Sequence, residues 1–388
     1  MKVLFLSTFR FPSGDAGSLR NLFLSKLFAK NGYTPYFIGK GETSIGNYTK
    51  NEYGFYTSLR SKNRNAISRA LDTLFLFERK LVAEVKRIVE PKDIVVIASF
   101  FSKATNKRIL DCVKKKGGKV VFSIEEKHTK SQFEKKTFFS MLGLRKCNSF
   151  YANIAYYNKP IIAISSYLGD YAKRAGVPYV VIPFVYDEDL EIPTNRLNDA
   201  KKTRFFYSGT PGNKDLLWEM IKGFDHLDAE HKSRIEVNVF GVDEAFAKKK
   251  LPPFLWQATR PFLNFHGTVG RDKIHSEIAC SDYSILLRND CEEFAKAGFP
   301  TKVVESLFFG IPVVTNLTSD LGHYLKDFYN AVIAKGYDYE AFAEAVRAAV
   351  DVPPEKLLEL KKNARNTCLS SLTAKAFEEP FHEFLSRI

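Results

Sequence analysis

The chain has 388 residues, 45% of them hydrophobic and 14% aromatic, with a formal net charge of +14. Such a length exceeds what one core sustains and predicts two globular domains, while no apolar run approaches the roughly 20 residues that span a bilayer. Five cysteines, Cys112, Cys147, Cys280, Cys291 and Cys368, lack metal-ligand spacing and read as reduced thiols.

The opening MKVLFLSTFRF has only Lys2 ahead of its apolar run and no small-residue cleavage site. It reads as a first strand rather than a signal peptide, and the protein is expected in the cytoplasm. A Gly-containing loop, FRFPSGDAGS, leads into a helix from Leu19 to Lys30 with apolar residues at 19, 22, 23, 24, 27 and 28. YTPYFIG, DIVVIASF, KVVFSI, PIIAISS and YVVIP are further strands between helical stretches. The alternation predicts an α/β fold, a parallel sheet covered on both faces, over residues 1–185. The polar, proline-containing IPFVYDEDLEIPTNRLNDAKK marks a linker at 186–203, and its Asp187, Glu188 and Asp189 read as a solvated charge run. RFFYSG, IEVNVFG, FLNFHGTV, DYSILLR, IPVVTN and NAVIA restart the alternation, a second Rossmann-like α/β domain at 204–373. Residues 374–388 read as a helix packing back on the first domain. Two such sheets joined by a hinge predict a cleft, with ligands bound beyond the carboxyl ends of the strands.

Charge divides unevenly. Residues 1–185 carry 32 Lys and Arg against 13 Asp and Glu, a net of +19, and the remainder carries 26 against 31, a net of −5. One basic half points to a polyanionic partner, whether nucleic acid, an anionic membrane surface or a phosphate-bearing substrate.

AKAGFPTKVVESLFFGIPVV, Ala295 to Val314, places two charges at the front of an apolar run. Gly298 and Pro300 break what precedes, Thr301 is a good N-cap, Lys302 to Phe309 reads as a short helix, and Gly310 stops it before a strand at Ile311 to Thr315. A helix start offers unpaired N–H groups and partial positive charge to an anion, and Lys302 adds a full charge. Glu305, one turn further in, repels phosphate but accepts hydrogen bonds from neutral hydroxyls such as those of a ribose. Phosphate and sugar contacts side by side describe a nucleotide; a capped amphipathic helix with two solvated charges is the competing reading.

Two more segments reach the same sheet edge. In RFFYSGTPGNKDLLWEM a strand ends at Ser208–Gly209, glycines allow close backbone approach, and Lys214 stands just before a helix as a phosphate contact. SDYSILLR ends in Arg288 at the carboxyl end of a buried strand. Lys214, Arg288, Thr301, Lys302 and Glu305 together predict a site for a nucleoside diphosphate.

With these motifs the sequence resembles the retaining GT-B glycosyltransferases of the large family four, particularly those making bacterial surface polysaccharides. GFPTKVVESLFFGIPVVTN is similar to the family's donor-binding segment, YSGTPGNKDLL to its phosphate-lysine loop, and AISSYLGDYAKRAGVPYVVIPFVYDED to the end of its first domain. PSGDAGSLRNLFLSKLFAKNGY is similar to its first Gly-rich loop and helix, with Gly14 and Gly17. The resemblance implies that Glu305 binds the ribose hydroxyls, Lys214 the donor pyrophosphate, the backbone at Thr301 and Lys302 the distal phosphate, and residues 265–269, ending in Val269, the base. Arg288 stands in for an arginine that many relatives carry nearer the lysine loop. The first of the family's paired glutamates falls on Ala297, where no carboxylate reaches the donor sugar.

A UDP- or GDP-sugar is thus the implied donor, and the resemblance implies transfer with retention and no protein nucleophile. Gly209 belongs to the donor loop, and Lys214 and Arg288 neutralise the leaving group electrostatically, with no cofactor or metal expected. The acceptor side falls to VVFSIEEKHTKSQF, which puts Glu125, Glu126 and His128 after a strand; Glu126 is the candidate general base or acceptor contact. Basic and apolar residues mix around Arg60, Lys62, Arg64 and Arg69, and again around Lys130, Lys135, Lys136, Phe138, Phe139, Met141, Leu142, Arg145 and Lys146. That pattern suits an anionic inner-leaflet surface and a glycan or polyprenyl-diphosphate-linked acceptor. No zinc, helix-turn-helix or RNP-type pattern appears, so nucleic acid is not the expected partner. A sugar-nucleotide-binding subunit without catalysis is the alternative that Ala297 leaves open.

Overall fold

The computed structural model describes residues 1–12, 15–41, 47–59, 76–133, 137–191, 202–210 and 212–388. The chain divides into two compact units, Met1–Lys130 with Lys136–Asp187 and Ala374–Ile388, and Ser131–Lys135 with Glu188–Thr373. No helix among the described residues is long and apolar enough to cross a membrane.

The first unit is built on an eight-stranded sheet: β1 (Lys2–Arg10), β2 (Thr34–Lys40), β3 (Thr49–Asn51), β4 (Gly54–Ser58), β5 (Ile94–Ile97), β6 (Lys119–Ile124), β7 (Ile161–Ala163) and β8 (Tyr179–Val181). Their order is β3-β4-β2-β1-β5-β6-β7-β8. β1 and β5 are apolar throughout their centres, as strands buried on both faces must be. Among the described residues the parallel pattern has one exception: β3 runs antiparallel to β4 at the sheet edge. Its polar TKNEYGFYTS lacks the apolar run that marks the other strands, and the hairpin forms through its turn, where Asn51 Oδ1 accepts from the N–H groups of Tyr53 and Gly54.

The helix after β1 spans Ala16–Lys30, starting before Leu19. Asp15 and Ser18 make a reciprocal cap, Ser18 N–H to Asp15 Oδ1 at 2.7 Å and Asp15 N–H to Ser18 Oγ at 3.3 Å. Phe28 of that helix meets Phe381 edge-on at 4.8 Å, and His382 Nδ1 lies 2.8 Å from Asn31 Oδ1, so the last helix, Glu378–Ser386, shares this unit's core. Asp187 is not solvated. It is 4% exposed, pairs with Lys26 and accepts from the Tyr53 hydroxyl at 2.5 Å, because the chain leaving β8 crosses the Ala16–Lys30 helix before the unit ends.

The second unit carries a six-stranded parallel sheet: β9 (Thr203–Ser208), β10 (Ile235–Phe240), β11 (Leu263–Phe265), β12 (Tyr283–Leu286), β13 (Val313–Thr315) and β14 (Ala331–Ile333). The order β11-β10-β9-β12-β13-β14 reverses direction between β9 and β12. At such a point the helices after neighbouring strands leave on opposite faces, which opens a crevice at the carboxyl edge. β9 and β12 pair only at Phe205–Tyr283 and Phe206–Ser284, so their last residues diverge around that opening.

Candidate active site

The opening between β9 and β12 is furnished by three segments far apart in sequence. The loop after β9 contributes Asp215, the residue pair beyond β12 contributes Arg288, and the helix Thr301–Phe308 contributes Lys302. Arg288 Nε donates to Asp215 Oδ1 at 3.0 Å, and Lys302 Nζ pairs with Asp215 Oδ2. Tyr207 faces both partners: its hydroxyl lies 3.4 Å from Asp215 Oδ2, and Lys302 Nζ stands 4.7 Å from its ring centroid. The loop is locked to β12 by Leu216 N–H donating to Leu287 C=O at 2.9 Å.

Electrostatics follow from this packing. Burial by itself raises the Asp215 pKa, but Lys302 and then Arg288 outweigh it and hold the carboxyl well below the usual range. Burial works against the Lys302 ammonium and Asp215 overrides it, leaving the lysine pKa raised. Burial pushes the Tyr207 phenol up, so it stays protonated.

Glycine shapes the opening at two positions. A Cβ on Gly209 would lie 2.3 Å from Lys302 Nζ, so only glycine admits the lysine there. Gly241, at φ +87°, approaches Gly209 so closely that a Cβ would lie 2.4 Å from its carbonyl oxygen. Gly241 N–H donates to Gly267 C=O at 2.7 Å, which draws the loop after β11 to the same sheet edge. His266 in that loop stacks on Phe240 at 4.4 Å, and Val269 is half-buried.

The predicted cap of the Thr301 helix needs correction. Pro300 occupies the cap position and Thr301 is the first helical residue; no side chain caps this end. Proline at the cap, φ −74° with extended ψ, sets the turn that Thr301 was expected to set. The uncapped N–H groups stay on the same turn as Lys302. Glu305, one turn on, lines a small cavity with Ser208, Ser284 and Lys302, and its Oε1 lies 3.6 Å from His275 Nε2. His275 Nε2 in turn accepts from Arg271 Nε at 3.1 Å.

Of the residues expected to bind donor, the structure brings Gly209, Arg288, Thr301, Lys302 and Glu305 to one sheet edge. Lys214 is half-buried in the same loop, directly before Asp215. Gly17 lies in the first turn of the Ala16–Lys30 helix of the other unit, with the Phe9 ring where a Cβ would stand; Gly14 is outside the described residues. Ala297 is fully buried at the end of the helix Glu293–Ala297, and Glu292 accepts from Ser131 Oγ at 2.6 Å. Asp215 and Tyr207 escaped sequence reasoning. An acid set between a basic loop and an apolar helix was the available signal for Asp215.

In the first unit Glu126 is 44% exposed at the end of β6, its Oε2 3.4 Å from His128 Nδ1, and its carbonyl accepts from the Tyr151 hydroxyl at 2.8 Å. Its neighbour Glu125 turns inward to Arg20, Nε to Oε1 3.6 Å. Burial pushes the Glu125 carboxyl up to about 8 despite Arg20, with Glu126 and Asp15 adding to the rise. Arg20 is fully buried, and its two terminal nitrogens donate to the carbonyls of Pro183 and Ile182 at 2.7 and 2.8 Å. Phe138 and Phe139 are exposed at the start of the helix Phe138–Ala152; Lys130 before it and Arg145 in its middle are exposed as well, whereas Lys146 is paired with Glu78. Arg60, Lys62, Arg64, Arg69, Lys135 and Lys136 lie outside the described residues. Among the described residues no group of three or more His, Cys, Asp and Glu side chains is placed to share a metal ion.

Residues 190–367 match the family model described as Glycosyl transferases group 1. No curated protein matches the chain. Among solved structures, sucrose-phosphate synthase from Thermosynechococcus elongatus superposes with a TM-score of 0.69 at 11% identity, covering 100% of this chain and 99% of that one. HepE of Anabaena in complex with UDP gives 0.66 at 13% over the whole of both chains, and its UDP-glucose complex 0.66 at 12%. WaaG, a glycosyltransferase involved in lipopolysaccharide biosynthesis, gives 0.62 at 12%, covering 98% and 99%. The fold is therefore that of the GT-B enzymes, two Rossmann-like units on parallel sheets. The matched domain, residues 190–367, falls in the second unit.

Proposed function

We propose that the chain transfers a sugar from a nucleotide-sugar donor, a UDP- or GDP-sugar, to a glycan or lipid-linked acceptor, with retention and without a metal. The enzyme would be of the family-four type, acting in cell-surface polysaccharide biosynthesis. One observation carries this reading: Arg288 and Lys302 converge beside an uncapped helix start, with Glu305 one turn away on the same cavity wall. Two cations and free N–H groups suit a diphosphate, and a carboxylate that keeps an oxygen for hydroxyl donors suits a ribose. Charge that develops on the leaving diphosphate is then met by groups already in place. HepE, with the same fold, has been solved with UDP and with UDP-glucose, and WaaG acts in lipopolysaccharide biosynthesis.

Calorimetry of the full chain with UDP, GDP and ADP, followed by hydrolysis of the matching sugar nucleotides, tests the reading. Binding of one nucleotide with slow donor hydrolysis is the expected result; no binding of any of the three would end it. Binding without hydrolysis or transfer would favour a second reading, a sugar-nucleotide-binding subunit, which the buried methyl group of Ala297 in place of a carboxylate supports.

A further inference from the structure

Asp215 is an acid in a site that reads as an anion pocket. Next to a helix start an aspartate ordinarily caps, but the helix Leu217–Asp225 has Leu216 at its cap position and no side-chain cap bond. Asp215 is 6% exposed, and its carboxylate is spent on Arg288, Lys302 and the Tyr207 hydroxyl instead. A buried, charged acid that caps nothing and meets two cations from two other segments is costly unless those cations are what it serves.

We propose that Asp215 is a positioning residue of the donor site: one carboxylate, with an oxygen each for Arg288 and Lys302, aims both cations at the donor diphosphate. The inference rests on the nucleotide-sugar reading above and adds a residue to it. Lys302 leaves its helix beside Tyr207 and Arg288, with Glu305 one turn further along and His275 behind it. Burial and Arg288 both favour a neutral lysine, and Asp215 opposes them. Without the acid, a guanidinium and an ammonium would repel across the opening, and the more easily deprotonated of the two would give way.

The test follows UDP affinity of the full chain by calorimetry between pH 7.0 and 8.5, for wild type, Asp215→Asn and Asp215→Glu. Titrations of UDP itself are common to all three and cancel in the ratio of variant to wild type. Asp215→Asn should lose affinity progressively with rising pH, on the order of tenfold relative to wild type across this range, and Asp215→Glu should restore most of the wild-type profile. A loss of equal size at every pH, or no loss, would overturn the proposal. In parallel, the rate of acetylation of Lys302 as a function of pH is read by peptide mass spectrometry on the wild-type chain. A midpoint above that of the exposed lysines is expected, and one below it would overturn the proposal even if Asp215→Asn fails to fold. Should wild type bind no nucleotide, the donor reading falls on that result alone, while the acetylation profile still reports whether the acid holds Lys302 charged.

Discussion

Asn316 brackets the backbone of Arg288. Its Oδ1 accepts from Arg288 N–H at 3.0 Å and its Nδ2 donates to Arg288 C=O at 2.8 Å, so one side chain at the end of β13 replaces the strand partner that β12 no longer has. Asn316 is 3% exposed, and truncation leaves two part-buried backbone groups of Arg288 unpaired. Asn316→Ala should therefore destabilise the second unit by about 2 kcal/mol and weaken UDP binding through the freed Arg288. Denaturant melts and calorimetry on the same preparation check both.

Gly209→Ala separates affinity from stability. The atom a methyl would meet is Lys302 Nζ, the far end of a flexible side chain, so the lysine yields and the backbone stays. UDP affinity should fall roughly tenfold, about 1.4 kcal/mol, with a smaller drop in melting temperature than Asn316→Ala produces. A melting temperature lowered as much as in Asn316→Ala, with UDP affinity intact, would contradict this account of the glycine.

Glu126→Gln addresses the acceptor side. The carboxylate is half exposed and its loop is held from behind by Tyr151, so the substitution removes a charge without disturbing the chain. Turnover should fall while UDP affinity is spared; unchanged turnover would remove Glu126 from the mechanism.

Phe138 and Phe139 are 67% and 46% exposed on a unit rich in Lys and Arg. If this edge meets anionic lipid, the chain should co-sediment with anionic vesicles at low salt, less so at high salt, and less again in a double Phe→Ser variant. Equal recovery with neutral and anionic vesicles would count against it.

His231 ties the short helix Ala229–Ser233 to the end of the helix Tyr339–Val350, with Nδ1 2.7 Å from Asp228 Oδ2 and Nε2 3.2 Å from Asp351 Oδ2. Its pKa is raised, chiefly by the bond to Asp351 and then by Asp228. A raised folded-state value means that the stabilisation is complete below the unfolded value near 6.5 and is lost as pH climbs through the folded one. His231→Gln should lower the melting temperature more at pH 5.5 than at pH 8; an equal drop at both would show that the ring serves packing alone.

Much of this architecture was legible before any coordinate. The twelve apolar strands announced themselves because a strand that faces the core demands a run of Val, Ile, Leu and Phe, whereas the TKNEYGFYTS hairpin stayed hidden because an exposed edge demands nothing of the kind. Pro300 shows a finer failure, where Thr301 fits a cap by composition but the proline before it already sets the turn.

Local chemistry decided which short helix holds Lys302 and Glu305, since Pro300, Gly310 and the apolar spacing between them act within a few residues. Only the tertiary structure decided that Lys302 meets Asp215, 87 positions away, and that Arg288 meets it from 73. Strand order produces those pairings, and strand order is settled by how whole sheets bury their faces, a property of no single segment.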